Sequence, residues 1–440
     1  MAGGIGFVNR RQYTIKTRVK LDSPCPTVQT HGNLKTFNEL SLPIESVQAL
    51  ISRDTGKPPY RVPSMAEIAA IPWNGRTVVS TFSGGGGSST GYRMAGFRIL
   101  WASEFIDAAR DTYLFNAAPS TIIDGRDIRD VTPDEILSAI GMSAGELDIF
   151  DGSPPCASFS TAGKRNAGWG KIKKYSDKEQ RTDDLFFEYI RLLRGLNPKV
   201  FIAENVSGLI KGVAKGYFLE ILAALKACGY RVTCRVLDAQ WLGVPQARQR
   251  TIFIGVREDL NLDPVHPKAL TYRYSVRDAL PWIVRQGDTG GFGRGTMKNA
   301  TTPSPIIGAG PTTGNRNYAP SKVEAETDIS RYAIGAEWEK MGNPGTQSNK
   351  YYQLQRPSIN KACPTVTFGI SALSCAGVVH PTEKRRFSIA ELKRICAFPD
   401  DYILTGTYAQ QWERMGRAVP PLMMKAIAET VRDKILARIK

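Results

Sequence analysis

From Arg76 onward, short β-branched and apolar runs alternate with amphipathic stretches, and this alternation constrains the fold more than any other feature of the 440 residues. Thr77-Val78-Val79-Ser80-Thr81-Phe82 reads as a strand, Ser83 to Ser88 as a glycine loop, and Ile99 to Ser103 as a second strand ending at Glu104. A helix over Ile106 to Phe115, a loop over Asp124 to Asp130 and a helix capped near Thr132-Pro133 follow. Strands are expected again over Glu146 to Asp151, Val200 to Ala203, Arg231 to Leu237 and Arg250 to Val256, with helices over Asp183 to Arg194 and Tyr217 to Cys228 between them. This pattern predicts an α/β fold with a doubly wound, mostly parallel sheet, whose ligands gather at the carboxyl ends of its strands.

The rest of the chain is less regular. Residues 1–70 read as an extension with Pro-bounded turns and short helices near Ser46 to Arg53 and Ser64 to Ala70. Residues 259–379 are rich in Gly, Pro, Thr and Asn and are expected to form a smaller, irregular domain, while helical pattern returns at Ser388 to Ala397 and Leu422 to Lys440. That gives an extension (1–70), a catalytic domain from 71–258 plus 380–440, and the irregular domain between.

Charge narrows the partners. The 58 basic residues outnumber 41 acidic ones, a net +17 that suits a polyanion such as nucleic acid. No stretch reaches the ~18 apolar residues of a membrane span, and Met1 to Arg11 lacks the apolar core of a secretory signal. The seven cysteines form no CxxC pair, which points to a reducing, cytoplasmic setting. Only three widely spaced histidines are present, which argues against a metal site.

Three constellations carry chemistry. Phe82-Ser83-Gly84-Gly85-Gly86-Gly87 follows the first strand and Glu104 ends the second; glycines let a ligand approach the backbone, and the acid accepts from ribose hydroxyls. Such a pair suits any adenosine cofactor, and a plain loop is the blander reading. Pro154-Pro155-Cys156 stops the next strand in a rigid turn and sets Cys156 beyond it as a candidate nucleophile. Taken alone, such a cysteine is more often a small buried hydrophobe. Glu204 ends the Val200 strand in the same row, where a raised pKa would let it protonate a substrate nitrogen. Just before the last strand, alternation places Arg248 and Arg250 on one face as guanidinium forks for a phosphate and a base carbonyl, unless they are merely an exposed ladder.

In order along the chain, Phe-x-Gly-x-Gly (Phe82, Gly84, Gly86), Glu104, Pro155-Cys156, Glu204-Asn205-Val206, Gln246-x-Arg248-x-Arg250, Pro364 to Thr367 and Gly416 to Pro421 resemble the motifs of the DNA (cytosine-5)-methyltransferase family. The resemblance runs from about Arg76 to Lys440 and implies a Rossmann-like S-adenosylmethionine-dependent fold, with the irregular region as target-recognition domain. It further implies double-stranded DNA as partner, a base flipped from the duplex, and action as a monomer in a bacterial or phage-infected cell, at the nucleoid. Cys156 would then attack C6, Glu204 donate to N3, Arg250 hold the cytosine O2 and Arg248 a phosphate or the catalytic turn. Phe82, Gly84, Gly86, Glu104, Phe105, Asp127 and Ile128 would hold the cofactor, with no metal. The basic, glycine-bearing stretch between Ala157 and Thr182 corresponds to the family's DNA-closing loop.

Two positions depart from the family pattern. Ala157 stands where Gln often follows Pro-Cys, and Arg417 stands where the last motif normally has Asn beside the methionine end of the cofactor. An unpaired guanidinium there would repel a sulfonium. Three readings follow: Arg417 points outward or pairs with a protein acid and ordinary methylation proceeds; the protein binds DNA without catalysis; or Arg417 pairs with an extra carboxylate on carboxy-S-adenosylmethionine and the product is 5-carboxymethylcytosine. Modification of RNA in place of DNA is a further alternative, which the long variable region disfavours.

Overall fold

The computed structural model describes residues 27–28, 56–155, 173–175, 178–180, 184–210, 214–283, 327–351, 353–368 and 376–439. The helix expected at Ser46 to Arg53 and the candidate nucleophile Cys156 lie outside these residues, as does Ala157.

Eight strands form the main sheet: β1 (Thr27–Val28), β2 (Thr77–Thr81), β3 (Arg98–Ser103), β4 (Ile122–Asp124), β5 (Ile149–Gly152), β6 (Val200–Val206), β7 (Tyr230–Asp238) and β8 (Gln249–Arg257). Their spatial order is β1-β7-β8-β6-β5-β2-β3-β4. β4, β3, β2, β5 and β6 run parallel, whereas β8 is antiparallel to both neighbours. The strand order reverses between β2 and β5, the place where open α/β sheets bind ligands.

Helices cover both faces, which follows from strands that are apolar on both sides. On one face α2 (Gly87–Met94) and α9 (Pro421–Lys434) pack with Val78, Ile99, Ile202 and Ile254 through Tyr92, Met423, Met424 and Ile427. On the other, α4 (Pro133–Ile140), α5 (Leu185–Leu196) and α6 (Ala214–Lys226) set Ile136, Phe186, Tyr189 and Phe218 against Val79, Phe150, Phe201 and Phe253. The helix after β3, α3 (Asp107–Asn116), begins one residue later than the sequence suggested. α1 (Met65–Ala69) starts at Ser64, whose hydroxyl and Glu67 form a capping box.

The C-terminal helices α7 (Ile389–Ile395) and α8 (Tyr408–Arg417) share a further core with residues outside the sheet. Val276, Leu280, Val366, Phe387, Ile395, Trp412 and Met415 are buried together there, so one cluster holds residues from both sides of the 379/380 division. Tyr60 and Met65 pack against it, and Tyr60 donates to the Arg394 carbonyl at 2.6 Å. Of the basic stretch after Cys156, the described part is a short hairpin in which Lys173–Tyr175 pairs antiparallel with Lys178–Gln180.

Candidate active site

Along one face of neighbouring strands, apolar residues give way to polar ones at the same edge of the sheet. Val78 leads to Ser80 on β2, Ile149 to Asp151 on β5, and Ile202 to Glu204 on β6. The register pairs Ser80 with Asp151 and Asp151 with Ile202, so these side chains stand on one face. β6 runs on through Val206, past the strand end expected at Ala203, because β8 continues to pair with it. Since β8 is antiparallel, its first residues arrive at that same edge, and Arg250 faces Val206 beside Glu204.

Arg250 Nε lies 2.6 Å from Glu204 Oε1, both side chains being about nine-tenths buried. The contact is an ion pair without hydrogen-bond alignment, since Oε1 has no hydrogen-bond partner among the described residues. Burial raises the Glu204 carboxyl above its ordinary range, against the pull of Arg250, Arg248 and the Ser153 hydroxyl. Asn205 Nδ2 donates to the Pro154 carbonyl at 3.2 Å and so ties this strand to the turn that leads into Cys156.

A cavity of about 280 Å3 opens at this edge, and its lining joins Glu204 and Arg250 to the glycine loop. Phe82, Gly84, Glu104, Phe105, Asp127, Ile128 and Arg417 all border it, as do Ser153, Pro154 and Pro155. Phe82 holds φ 52° and Gly84 φ 56°, a left-handed bend that turns the chain sharply off β2. Glu104 fixes the bend: Oε2 accepts from Gly84 N at 2.8 Å and Oε1 from Ile106 N at 2.7 Å. Burial pushes its carboxyl up while those two amides, with Arg414 and Arg417, oppose the shift. Asp127 caps the turn at Ile128–Asp130 and pairs with Arg129 at 2.9 Å.

Two expectations are corrected. Gly86 does not line the cavity: a Cβ there would meet the Tyr402 hydroxyl at 2.6 Å, and its φ of 89° marks the start of α2, which begins inside the loop expected over Ser83 to Ser88. Arg248 does not share a substrate-facing row with Arg250; it is 1% exposed and donates to the carbonyls of Val366 at 3.0 Å and Gly416 at 2.7 Å. It therefore fastens the last two motifs together and is closed to a DNA phosphate. Arg417 has a protein acid as its partner, the arrangement of the first of the three readings: Nε donates to Glu413 Oε1 at 2.7 Å and the guanidinium stands 4.1 Å over the Phe368 ring.

The sequence reading passed over Ser153, Phe368 and Arg414, which also border the cavity. Each was within reach of a signal: Ser153 precedes Pro154-Pro155-Cys156, Phe368 follows Pro364 to Thr367, and Arg414 lies one turn before Arg417. Among the described residues no cluster of His, Cys, Asp or Glu has metal-binding geometry.

A family model for C-5 cytosine-specific DNA methylases matches residues 76–433. The chain belongs to this family. Among similar proteins, the Type II methyltransferase M.DdeI of Desulfomicrobium norvegicum is 29% identical over 80% of this chain and 88% of its own length. M.NgoPII of Neisseria gonorrhoeae is 29% identical over 84% of this chain and 99% of its own. In fold, a prophage-encoded protein of E. coli aligns with a TM-score of 0.58 at 21% identity, covering 82% of this chain and 99% of that one. DNMT2 of Spodoptera frugiperda aligns with a TM-score of 0.52 at 18% identity, covering 81% and 98%. As a C-5 cytosine-specific DNA methylase, this chain has a mostly parallel Rossmann-like sheet, and Phe82, Glu104, Glu204, Arg250 and Gly416 border one cavity.

Proposed function

We propose that this family member methylates C5 of cytosine in double-stranded DNA, with S-adenosylmethionine held between the glycine loop and the last motif. The observation that carries the reading is the buried Glu204–Arg250 pair in one cavity with Glu104. A carboxyl that burial biases toward its protonated form, beside a guanidinium, suits a base that must gain a proton at N3 and be held at O2. The cavity also suits the cofactor: Gly84 leaves open space where a side chain would stand, and each Glu104 oxygen, though bound to one amide, retains acceptor capacity for a ribose hydroxyl.

When bound, the cofactor supplies an electrophilic methyl group on a sulfonium. Phe82, Phe105 and Ile128 supply apolar contact for an adenine, and Asp127 an acceptor at its edge. The Cys156 thiolate adds to C6 while Glu204 gives its proton to N3, so the ring carries electron density at C5 without a full negative charge. After the methyl group is transferred, the C5 proton is lost to solvent, the Cys156 thiolate is expelled and N3 returns its proton to Glu204, which restores the aromatic ring. Arg248 acts at a distance, by holding the Val366 and Gly416 carbonyls on which one cavity wall depends.

The Arg417–Glu413 pair supports transfer of an unmodified methyl group, because the protein itself supplies the carboxylate that a carboxylated cofactor would offer. The +17 charge supports DNA as partner, and no described helix is long and apolar enough to cross a membrane. A cytoplasmic monomer at the nucleoid is the setting this reading implies. Transfer of labelled methyl from S-adenosylmethionine to duplex DNA and to tRNA, compared at equal enzyme, tests it: incorporation into duplex DNA is expected, and incorporation confined to tRNA would sink it.

A further inference from the structure

Beside the part of the cavity assigned above to the adenine lies a cluster of charges that the reaction does not use. Asp127 and Ile128 border the cavity on the turn that follows β4, and Leu185, the first residue of α5, borders it as well. Arg129 joins these two elements.

Two carboxylates grip Arg129. Its Nη1 donates to Asp127, 3.1 Å from Oδ1 and 2.9 Å from Oδ2, and its backbone N–H donates to Asp127 Oδ1 at 3.0 Å. The same guanidinium reaches Asp184, with Nη2 2.8 Å from Oδ1 and Nε 3.3 Å from Oδ2. A planar fork that meets a carboxylate with two nitrogens fixes direction as well as distance, which a lysine ammonium does not do. Here the fork engages Asp184, and the third nitrogen engages Asp127. The neighbouring Arg126 pairs with Asp124 at 2.8 Å and Glu135 at 2.9 Å, so the ion pair of Asp127 among the described residues is with Arg129.

Asp184 occupies the N-cap of α5, where an aspartate ordinarily accepts from the first turn of its own helix. Its side chain makes no such bond, and both of its oxygens accept from Arg129. α5 holds the turn at a second point too. Arg191 Nη2 donates to the carbonyls of Ile128 and Val131, each at 2.9 Å, while its Nε donates to Glu188 at 2.7 Å. The helix therefore grips the backbone of the Asp127 turn through Arg191 and the Asp127 side chain through Arg129. Phe186, Tyr189 and Leu193 anchor α5 in the core, which makes it a firm base for both contacts.

We propose that Arg129 is a positioning residue for the cofactor: anchored on α5 through Asp184, it orients the Asp127 carboxylate to accept from the N6 amino group of the adenine. This rests on the reading of the cavity as the S-adenosylmethionine site. An ionised carboxylate only accepts; adenine offers a donor at N6, and hypoxanthine offers an oxygen in its place. A carboxylate held in one orientation favours adenine, and one left to rotate favours it less. The preference between the two bases thus measures how well Asp127 is held.

The test is isothermal titration calorimetry of the full chain with S-adenosylhomocysteine and with S-inosylhomocysteine, which carries O6 where the other has its N6 amino group. Wild type is expected to prefer the adenine compound by about 10- to 100-fold, the scale of one hydrogen bond to a charged group. In Arg129→Met that ratio is expected to fall by about 5- to 10-fold, and in Asp127→Asn, whose amide can donate or accept, at least as far. Adding Arg129→Met to Asp127→Asn is expected to lower the ratio no further, because both act through one carboxylate. A merely structural Arg129 would weaken both compounds alike and leave the ratio in place, and that result overturns the proposal. Asp184→Asn is the second variant, since it loosens Arg129 without removing it: a smaller fall in the ratio is expected, and an unchanged ratio overturns the proposal. The two ways of failing are distinct. Wild type that binds neither compound removes the cofactor reading and this inference with it; a ratio lost in Asp127→Asn but intact in Arg129→Met removes Arg129 alone.

Discussion

Arg250 and Glu204 sit on adjacent antiparallel strands, offset by two residues on one face, with Nε 2.6 Å from Oε1. The register of β8 brings them together, and the pair divides two tasks that conflict. Arg250 stabilises the Glu204 carboxylate, while burial favours the acid that proton donation requires. Removing Arg250 therefore moves Glu204 further up, so in Arg250→Met the basic limb of the pH–rate profile is expected at higher pH than in wild type. The rate at the optimum is expected to fall by about 100-fold as a charge-assisted contact to the base is lost. A basic limb that moves down contradicts this balance.

Glu204→Gln retains the shape of the side chain and its neighbours but has no transferable proton. A loss of about 10²- to 10⁴-fold in kcat, with cofactor affinity nearly unchanged, is the expected result. Single-turnover methylation and calorimetric cofactor binding read the two quantities separately.

Glu104 accepts the amides of Gly84 and Ile106, so it shapes the cofactor loop as well as facing the cavity. Glu104→Ala is expected to weaken S-adenosylmethionine binding by about 10- to 100-fold, the scale of one or two lost hydrogen bonds to a charged group. Saturating cofactor is expected to recover most of kcat, and isothermal titration calorimetry gives the affinity directly.

Gly86 combines a left-handed φ of 89° with a Tyr402 hydroxyl that a Cβ would meet at 2.6 Å. Gly86→Ala is expected to cost about 2–4 kcal/mol of stability from backbone strain and overpacking. Urea unfolding measures the loss, and a midpoint within error of wild type would show that the loop accommodates a methyl group.

Glu391, buried on α7, is the partner of Arg385, with contacts of 2.8 Å from both terminal guanidinium nitrogens. Burial alone would raise its carboxyl, but Arg385 and His380 outweigh it and hold the group well below its ordinary value. A depressed folded value adds stability above the unfolded carboxyl's ~4.3, and that contribution is lost as pH falls toward the folded value. Glu391→Gln is expected to lower Tm strongly at neutral pH, with the gap to wild type closing below about pH 4. A gap that is constant with pH contradicts the assignment.

Much of the fold was legible because six strands of the sheet contain apolar runs, as in Val200 to Ala203 and Thr77 to Phe82, whereas the short edge strands β1 and β4 carry no such run and were not anticipated. The cavity-lining residues were legible where a strand end carries an isolated polar group, as at Glu104 and Glu204. Strand direction was not: nothing in Arg250 to Val256 announces that β8 runs against its neighbours, although this is what brings Arg250 to Glu204. Alternation also misled at Arg248, which lies between the two-residue strand Gln246–Ala247 and the start of β8 and turns inward to meet carbonyls more than a hundred residues away in sequence. The pairing of Arg417 depended on Glu413 one helical turn earlier, a contact that an i,i+4 reading of the last motif makes available in hindsight. Asp151 passed as an ordinary strand terminus because its partners come from β2 and α2, at positions Ser80 and Tyr92 that carry no motif of their own.

The measurement that bears most directly on the central claim is mass spectrometry of nucleosides from the DNA of cells that express this chain, beside a Cys156→Ala control. The expected result is 5-methylcytosine that appears with the intact chain and disappears with the control. Unmodified cytosine throughout, a carboxymethylated adduct, or 5-methylcytosine that persists in Cys156→Ala would contradict the account.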